Sequence, residues 1–426
     1  MKTKLFLLPL LLICLFGCEQ SETSTLNVEL SKTNQVSMYE KSTEDMFDFM
    51  KQVYPQKYAK YYPIKNQFKP EILTKVSNNN FAKYAKSTTD ENIIDTLLYI
   101  VNFGEDDGFA VMDANSGDLL VLTEKGDLHA EDLTQEYTID DYEIEPKEMM
   151  AYLLKDRSIT PPPSFGGDPI DPNKPEIIMK GDWITKYQVE PLVEVKFGQE
   201  DPYNRLCYDE EGNICYAGCV AIAIIQVMSA NKCPNTIGNL TYNWDTIINN
   251  YKTNTSVQNV LASWIRTIGE QCNMEYGVNG SAASIYDAVD CFELYPQYKN
   301  VTIDYNPTKE EVYSMLSNAK PLYFRAGLDT IIYNSNGGGH AWVVDGCIYQ
   351  EQNVTTTTIY GAVTSEYTNY RNYVHCNWGW YGECDGYYDL NVFDVREGAI
   401  IPDNTTQQET QNYYFSLDIR SIMYNL

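Results

Sequence analysis

The sequence predicts an α+β protein built as two units joined by an exposed connector, and three observations carry that prediction. A chain of 426 residues is longer than one hydrophobic core usually organises. Cysteine is absent from residues 19 to 206 and then appears nine times, at 207, 215, 219, 233, 272, 291, 347, 376 and 384. The stretch "ITPPPSFGGDPIDPNKPE", residues 159–176, is rich in proline and lacks hydrophobic periodicity, as a semi-rigid linker does. With 43% hydrophobic and 13% aromatic residues, both units can bury cores. The formal net charge of -28 argues against nucleic acid and anionic membrane surfaces as partners, because phosphate binding needs a basic surface.

The amino terminus reads as an address. "MKTKLFLLPLLLICLFGC" has two lysines, an apolar run and then Leu15-Phe16-Gly17-Cys18, the pattern of a secretory signal ending in a bacterial lipobox. Residues 1–18 are therefore a lipoprotein-type signal, with Cys18 as the acylated residue, and the polar residues 19–38 are a tether. The protein is expected to be exported, as an outer-membrane or cell-surface lipoprotein. Residues 39–155 form the first unit. Segments around 40–60 and 69–85 look helical, and "TLLYIVNFGEDDGFAVMDANSGDLLVLTEKGDL" alternates short β-prone runs with turn signals, an antiparallel meander. Its one histidine, His129, is expected to face solvent in a polar loop. This unit carries no evident chemistry. Residues 156–180 are the linker, and residues 181–426 the second unit.

The second unit holds the chemistry. "GNICYAGCVAIAIIQVM", residues 212–228, runs from Cys219 into a segment apolar nearly all round, the signature of a buried helix. Gly218 permits close approach of the backbone just ahead of the thiol. A helix amino terminus favours negative charge, so it favours thiolate over thiol. On this segment alone a buried structural cysteine is an equal reading. An odd count of nine leaves one thiol without a disulfide partner, and a nucleophile is one reason for that. Zinc is disfavoured, since only Cys215 and Cys219 approach ligand spacing and no second pair matches them. No metal or organic cofactor is expected.

Two histidines can serve the thiol. His340, in "NSNGGGHAWVVDGC", follows three glycines and opens a strand-like run, and it is the better base; His375 lies in "NYVHCNWGWYGECDGYYDL". Asn377, in Asn-Trp-Gly-Trp, can accept the other imidazole N–H while an indole keeps water off that bond. Cysteine, histidine and asparagine in this order form a papain-type arrangement, with His340 121 residues after Cys219 and Asn377 37 further on.

These residues resemble the streptopain family, bacterial cysteine peptidases of papain-like fold. The resemblance lies in "GQEDPYN" (198–204), "GCVAIAIIQVM" (218–228), "GGHAWVVDG" (338–346) and "CNWGWYGECDGYYDL" (376–390), with weaker similarity in "CNMEYGVNGSAA" and in "YIVNFGEDDGFAVMD", which looks like the family propeptide. It implies a papain-like catalytic domain preceded by a small α+β inhibitory prodomain, made as a zymogen that hydrolyses protein or peptide substrates. Cys219 would be the nucleophile, His340 the proton acceptor and Asn377 its orienter, with Trp378 and Trp380 shielding or lining the cleft. The family's glutamine six residues before the nucleophile corresponds here to Asn213, a shorter amide for the oxyanion. Two other readings use the same residues. One is a non-proteolytic acyl-transfer enzyme or cell-wall amidase, and the other is an inactive lipid-anchored binding protein.

Overall fold

The computed structural model describes residues 22–74, 96–114, 116–133, 145–155, 176–305, 307–329, 339–358, 360–393 and 416–426. The segment expected to be a signal, with Cys18, lies outside the described residues, as does most of the proline-rich stretch.

The first unit opens with helices α1 (Glu22–Val53) and α2 (Pro55–Tyr61). The helix α1 runs through most of the segment expected to be a tether. Four strands follow: β1 (Glu71–Thr74), β2 (Thr96–Asn102), β3 (Phe109–Asp113) and β4 (Leu119–Thr123), and then α3 (Pro146–Lys155). The meander is as expected. The start of the 69–85 segment is a strand instead of a helix: Pro70 disfavours helical geometry just before it, and Glu71–Thr74 finds a ladder partner in β2. His129 is half-exposed, with Nδ1 2.6 Å from Glu71 Oε1.

The second unit begins where the linker ends. Residues 176–180, the end of the expected linker, form strand β5 (Glu176–Lys180), followed by β6 (Ile184–Val189) and helix α4 (Cys219–Asn231). A small hairpin of β7 (Thr236–Ile237) and β8 (Leu240–Thr241) leads to α5 (Trp244–Asn250), α6 (Thr255–Gln271) and α7 (Ile285–Glu293). The remainder is β9 (Lys299–Asp304), α8 (Lys309–Ser317), β10 (Leu322–Asp329), β11 (Gly339–Thr358), β12 (Val363–Asn377), β13 (Gly386–Asp389) and β14 (Ser416–Asn425). This is an α+β, papain-like plan: a buried helix carrying the cysteine lies against an antiparallel sheet carrying the histidine.

One sheet runs through both units, in the order β1-β2-β3-β4-β13-β12-β11-β10-β14-β9. The strand β11 is its spine. One edge pairs with β12 along its length, and the other is covered in turn by β10, β6 and β5. The units join where β13 pairs with β4, Gly386 opposite Thr123 and Tyr388 opposite Val121. They also share a core, in which Phe49 of α1 lies 4.4 Å from the Tyr373 ring and 5.8 Å from that of Tyr387. Burying a phenylalanine side chain contributes about 1.5–3 kcal/mol, so the α1 face holds the first unit onto the second.

Candidate active site

Helix α4 is buried from Cys219 to Ser229, which fits its unbroken apolar sequence. Its start is fixed by Gly218. That residue has φ +89°, and a Cβ there would lie 2.7 Å from Met274 Sδ and 3.3 Å from Ser281 Cβ, so a side chain fits neither the turn nor the space. Ile222 N–H donates to Gly218 O at 3.1 Å, which leaves the first amides of the helix pointing past Cys219. The thiol side chain is 7% exposed, at the positive end of the helix dipole.

His340 opens β11 and is 1% exposed. Its Nε2 lies 2.8 Å from the main-chain carbonyl of Trp378, so that nitrogen carries the proton and donates, while Nδ1 has no hydrogen-bond partner. The ring is boxed by indoles: Trp342 is nearly parallel to it at 6.5 Å and Trp378 lies at 5.8 Å. Burial in this apolar box pulls the imidazole down to about 4 against the opposing Trp378 carbonyl, so the ring is neutral at neutral pH.

Helix and sheet meet through the turn after β12. Trp378 holds His340, and Gly379, at φ +75°, packs so tightly on α4 that a Cβ would sit 2.8 Å from Ile222 Cγ2, one turn beyond Cys219. Thiol and imidazole thus belong to one corner of the molecule. Trp380 flanks the approach, edge-on to Tyr216 at 6.0 Å, three residues ahead of the cysteine. Trp378 itself is fully buried and donates through Nε1 to Tyr388 Oη at 3.1 Å.

Two expectations are corrected. Asn377 does not hold the imidazole. Its Oδ1 accepts from Gln226 Nε2 and from Gly379 N–H at 3.3 Å, and its Nδ2 donates to Val195 O at 2.9 Å. The orienting acceptor is the carbonyl of the next residue, and Asn377 instead ties that turn to α4. Asn213 is exposed in the turn 209–213, where its Nδ2 donates to Asp209 Oδ2 at 2.9 Å. Another amide residue, Gln199, is fully buried in this region, and its main-chain carbonyl accepts from Ala217 N–H at 2.9 Å, two residues before Cys219. Its signal was the Gly-Gln of "GQEDPYN", twenty positions upstream.

His375 is committed elsewhere. Its Nδ1 is 2.6 Å from Asp345 Oδ1 and its Nε2 is 3.4 Å from Glu124 Oε1, a residue of the first unit. Burial opposes its charge, but the two carboxylates win and raise it to about 9. Burial likewise works against the Glu124 carboxylate, yet His375 and Lys196 hold it down at about 2. Lys196 Nζ bridges the units, 3.0 Å from Glu124 Oε2 and 2.9 Å from Asp385 Oδ2. With both ring nitrogens engaged by carboxylates, His375 has none to offer a thiol, whereas His340 does. Among the described residues no group of three or more metal-ligating side chains is assembled, and no helix is long and apolar enough to cross a membrane.

Residues 197–388 match the Peptidase C10 family, and the matched span contains Cys219, His340, Gln199 and the Trp378 turn. Over this segment, somewhat less than half of its length, the chain is similar to the Peptidase C10 family. Streptopain from Streptococcus pyogenes serotype M28 is 24% identical over 244 residues, covering 47% of this chain and 54% of streptopain; streptopain from serotype M1 matches to the same extent. The chain thus spans about half the length of the curated relatives it matches. Among solved structures, a prointerpain A fragment from Prevotella intermedia is 21% identical, with 84% of this chain and 98% of the fragment covered and a TM-score of 0.47. Active interpain A from the same organism is 24% identical, covering 55% and 94%, with a TM-score of 0.38.

Proposed function

We propose that the chain is an exported cysteine endopeptidase made as a zymogen, with Cys219 as nucleophile, His340 as general base and acid, and protein or peptide substrates. The observation that carries this reading is His340: one ring nitrogen is fixed by the Trp378 carbonyl and the other is left over, in the corner where α4 presents a thiol at its amino terminus. The C10 match supports it.

Because the ring is neutral, it can take the thiol proton as sulfur attacks the peptide carbonyl, forming the C–S bond. The oxyanion is met by the Cys219 N–H and the Gln199 side-chain amide. Collapse breaks the C–N bond as His340 gives its proton to the leaving amine, and water then hydrolyses the thioester. Burial keeps the His340 ring neutral, so the proton moves from the thiol to the imidazole as the sulfur attacks. The first unit, which shares the sheet and the Lys196 bridge, is the inhibitory prodomain. Activation is a cut between about residues 155 and 182, which frees the catalytic domain from a lipid on Cys18. Amino-terminal sequencing of the active form tests that cut, and a mature start well before residue 150 contradicts it.

Casein digestion by wild type and Cys219→Ala, each with and without a thiol alkylator, tests the activity. Cleavage is expected from unalkylated wild type alone. Cleavage by Cys219→Ala, or cleavage of muropeptides in place of casein, overturns the endopeptidase reading.

A further inference from the structure

The base is positioned by a main-chain carbonyl, which raises the question of what positions that carbonyl. A peptide turn has two torsions of freedom per residue, and Trp378 follows directly on the end of β12. Its N–H donates to Asp385 Oδ1 at 2.8 Å, and the next amide, Gly379 N–H, donates to Asn377 Oδ1 at 3.3 Å. Trp378 is therefore held from both sides while its carbonyl points at His340. Asp385 is fully buried, and its second oxygen receives Lys196 Nζ at 2.9 Å. Burial pushes the Asp385 carboxyl up, opposed by Lys196 and His375. Beyond Lys196 stand Glu124 and His375.

We infer that Asp385 is a positioning residue for the reaction: seated on Lys196, it holds the Trp378 main chain so that the Trp378 carbonyl fixes the His340 ring for the Cys219 thiol. The inference rests on the proposed roles of Cys219 and His340. A buried ion pair kept only for stability would lower melting temperature and leave each folded molecule as active as before. A positioning pair changes turnover per folded molecule, because displacing a catalytic group by about 1 Å can cost on the order of 100-fold. Substrate affinity is left alone by Asp385, which is fully buried.

The test uses the full chain as wild type, His340→Ala, Asp385→Asn and Lys196→Met. Asparagine keeps an acceptor for Trp378 N–H but loses the charge facing Lys196. Two readouts are taken: kcat and KM on a fluorogenic peptide after processing, and the pH profile of Cys219 alkylation by iodoacetamide, followed by mass spectrometry. Asp385→Asn is expected to lower kcat by about 10- to 100-fold with KM nearly unchanged and to shift the alkylation profile towards that of His340→Ala. Lys196→Met is expected to do the same more weakly, and it decides the matter if Asp385→Asn does not fold. Folded variants with wild-type kcat and an unmoved alkylation profile overturn the inference. A wild type that cleaves nothing, while its Cys219 alkylation still depends on His340, defeats the peptidase reading alone. In that event the Asp385→Asn alkylation profile still decides this one. Alkylation that ignores His340 overturns both.

Discussion

Gly386→Ala should loosen the junction between the two units without touching either core. A Cβ at Gly386 would lie 2.3 Å from Leu122 O, 2.6 Å from Thr123 Cα and 3.0 Å from Leu122 C. Ordinary van der Waals contact begins near 3.4 Å, so the nearest approach is too close by 3.4 - 2.3 = 1.1 Å. All three atoms belong to the main chain, and no rotamer change relieves them. The strand β4 must retreat by about an ångström. That movement strains the three ladder pairs of β13 with β4, as well as Glu124 N–H on Asp385 O (2.7 Å) and Cys384 N–H on Lys125 O (3.2 Å). Overpacking of this kind costs about 1–3 kcal/mol. If the cost falls on the junction, the Glu124 and Cys384 amides should exchange with deuterium about 5- to 150-fold faster, while amides within α4 and α6 keep their wild-type rates. Linker cleavage should also come earlier in the variant. Native exchange at both amides, with an unchanged melting temperature, refutes the reasoning.

The remaining predictions concern the buried polar groups. His340, lowered to about 4 in the folded state against about 6.5 unfolded, makes stability fall as pH drops from 6.5 towards 4; His375, raised to about 9, contributes stability that is complete below 6.5 and lost as pH rises through 9. Each effect is about 3 kcal/mol at most, and urea melts across pH 4–10 should show both limbs, the alkaline one flattened in His375→Gln. Asn377→Ala strands Gln226 Nε2, Gly379 N–H and Val195 O, so it should cost about 2–4 kcal/mol in thermal denaturation and reduce turnover without abolishing it. Gln199→Ala should lower kcat by about 100- to 1,000-fold with KM little changed, whereas Asn213→Ala should leave both as they were.

How far the sequence discloses this site follows from the reach of each interaction. The helix after Cys219 was legible because its buried partners are a consequence of its own composition: a segment apolar all round has no solvent face. His340 was legible because glycines before it and a β-prone run after it define a strand entry. The partner of Asn377 was not, because it depends on where one peptide plane points. The Trp378 carbonyl, one residue on, takes the imidazole, and the asparagine side chain turns to Gly379 and Gln226. Gln199 stood in a recognised motif without a role, since only folding brings position 199 to position 217. Glu124 gave no local signal at all. Its function as a bridge exists only because β4 joins the sheet beside β13. Residues 71–74 were read as helical because four residues carry too little periodicity to outweigh their neighbours, and β2 decided their conformation.

The most direct measurement of the central assignment is the site of an irreversible, thiol-directed peptidyl epoxide in the processed enzyme, located by mass spectrometry and followed alongside casein cleavage. Expected is a single label on Cys219, formed in step with loss of cleavage and formed far more slowly in His340→Ala. Cleavage that persists with Cys219 fully labelled, or a label that falls on another of the nine cysteines as activity disappears, contradicts it.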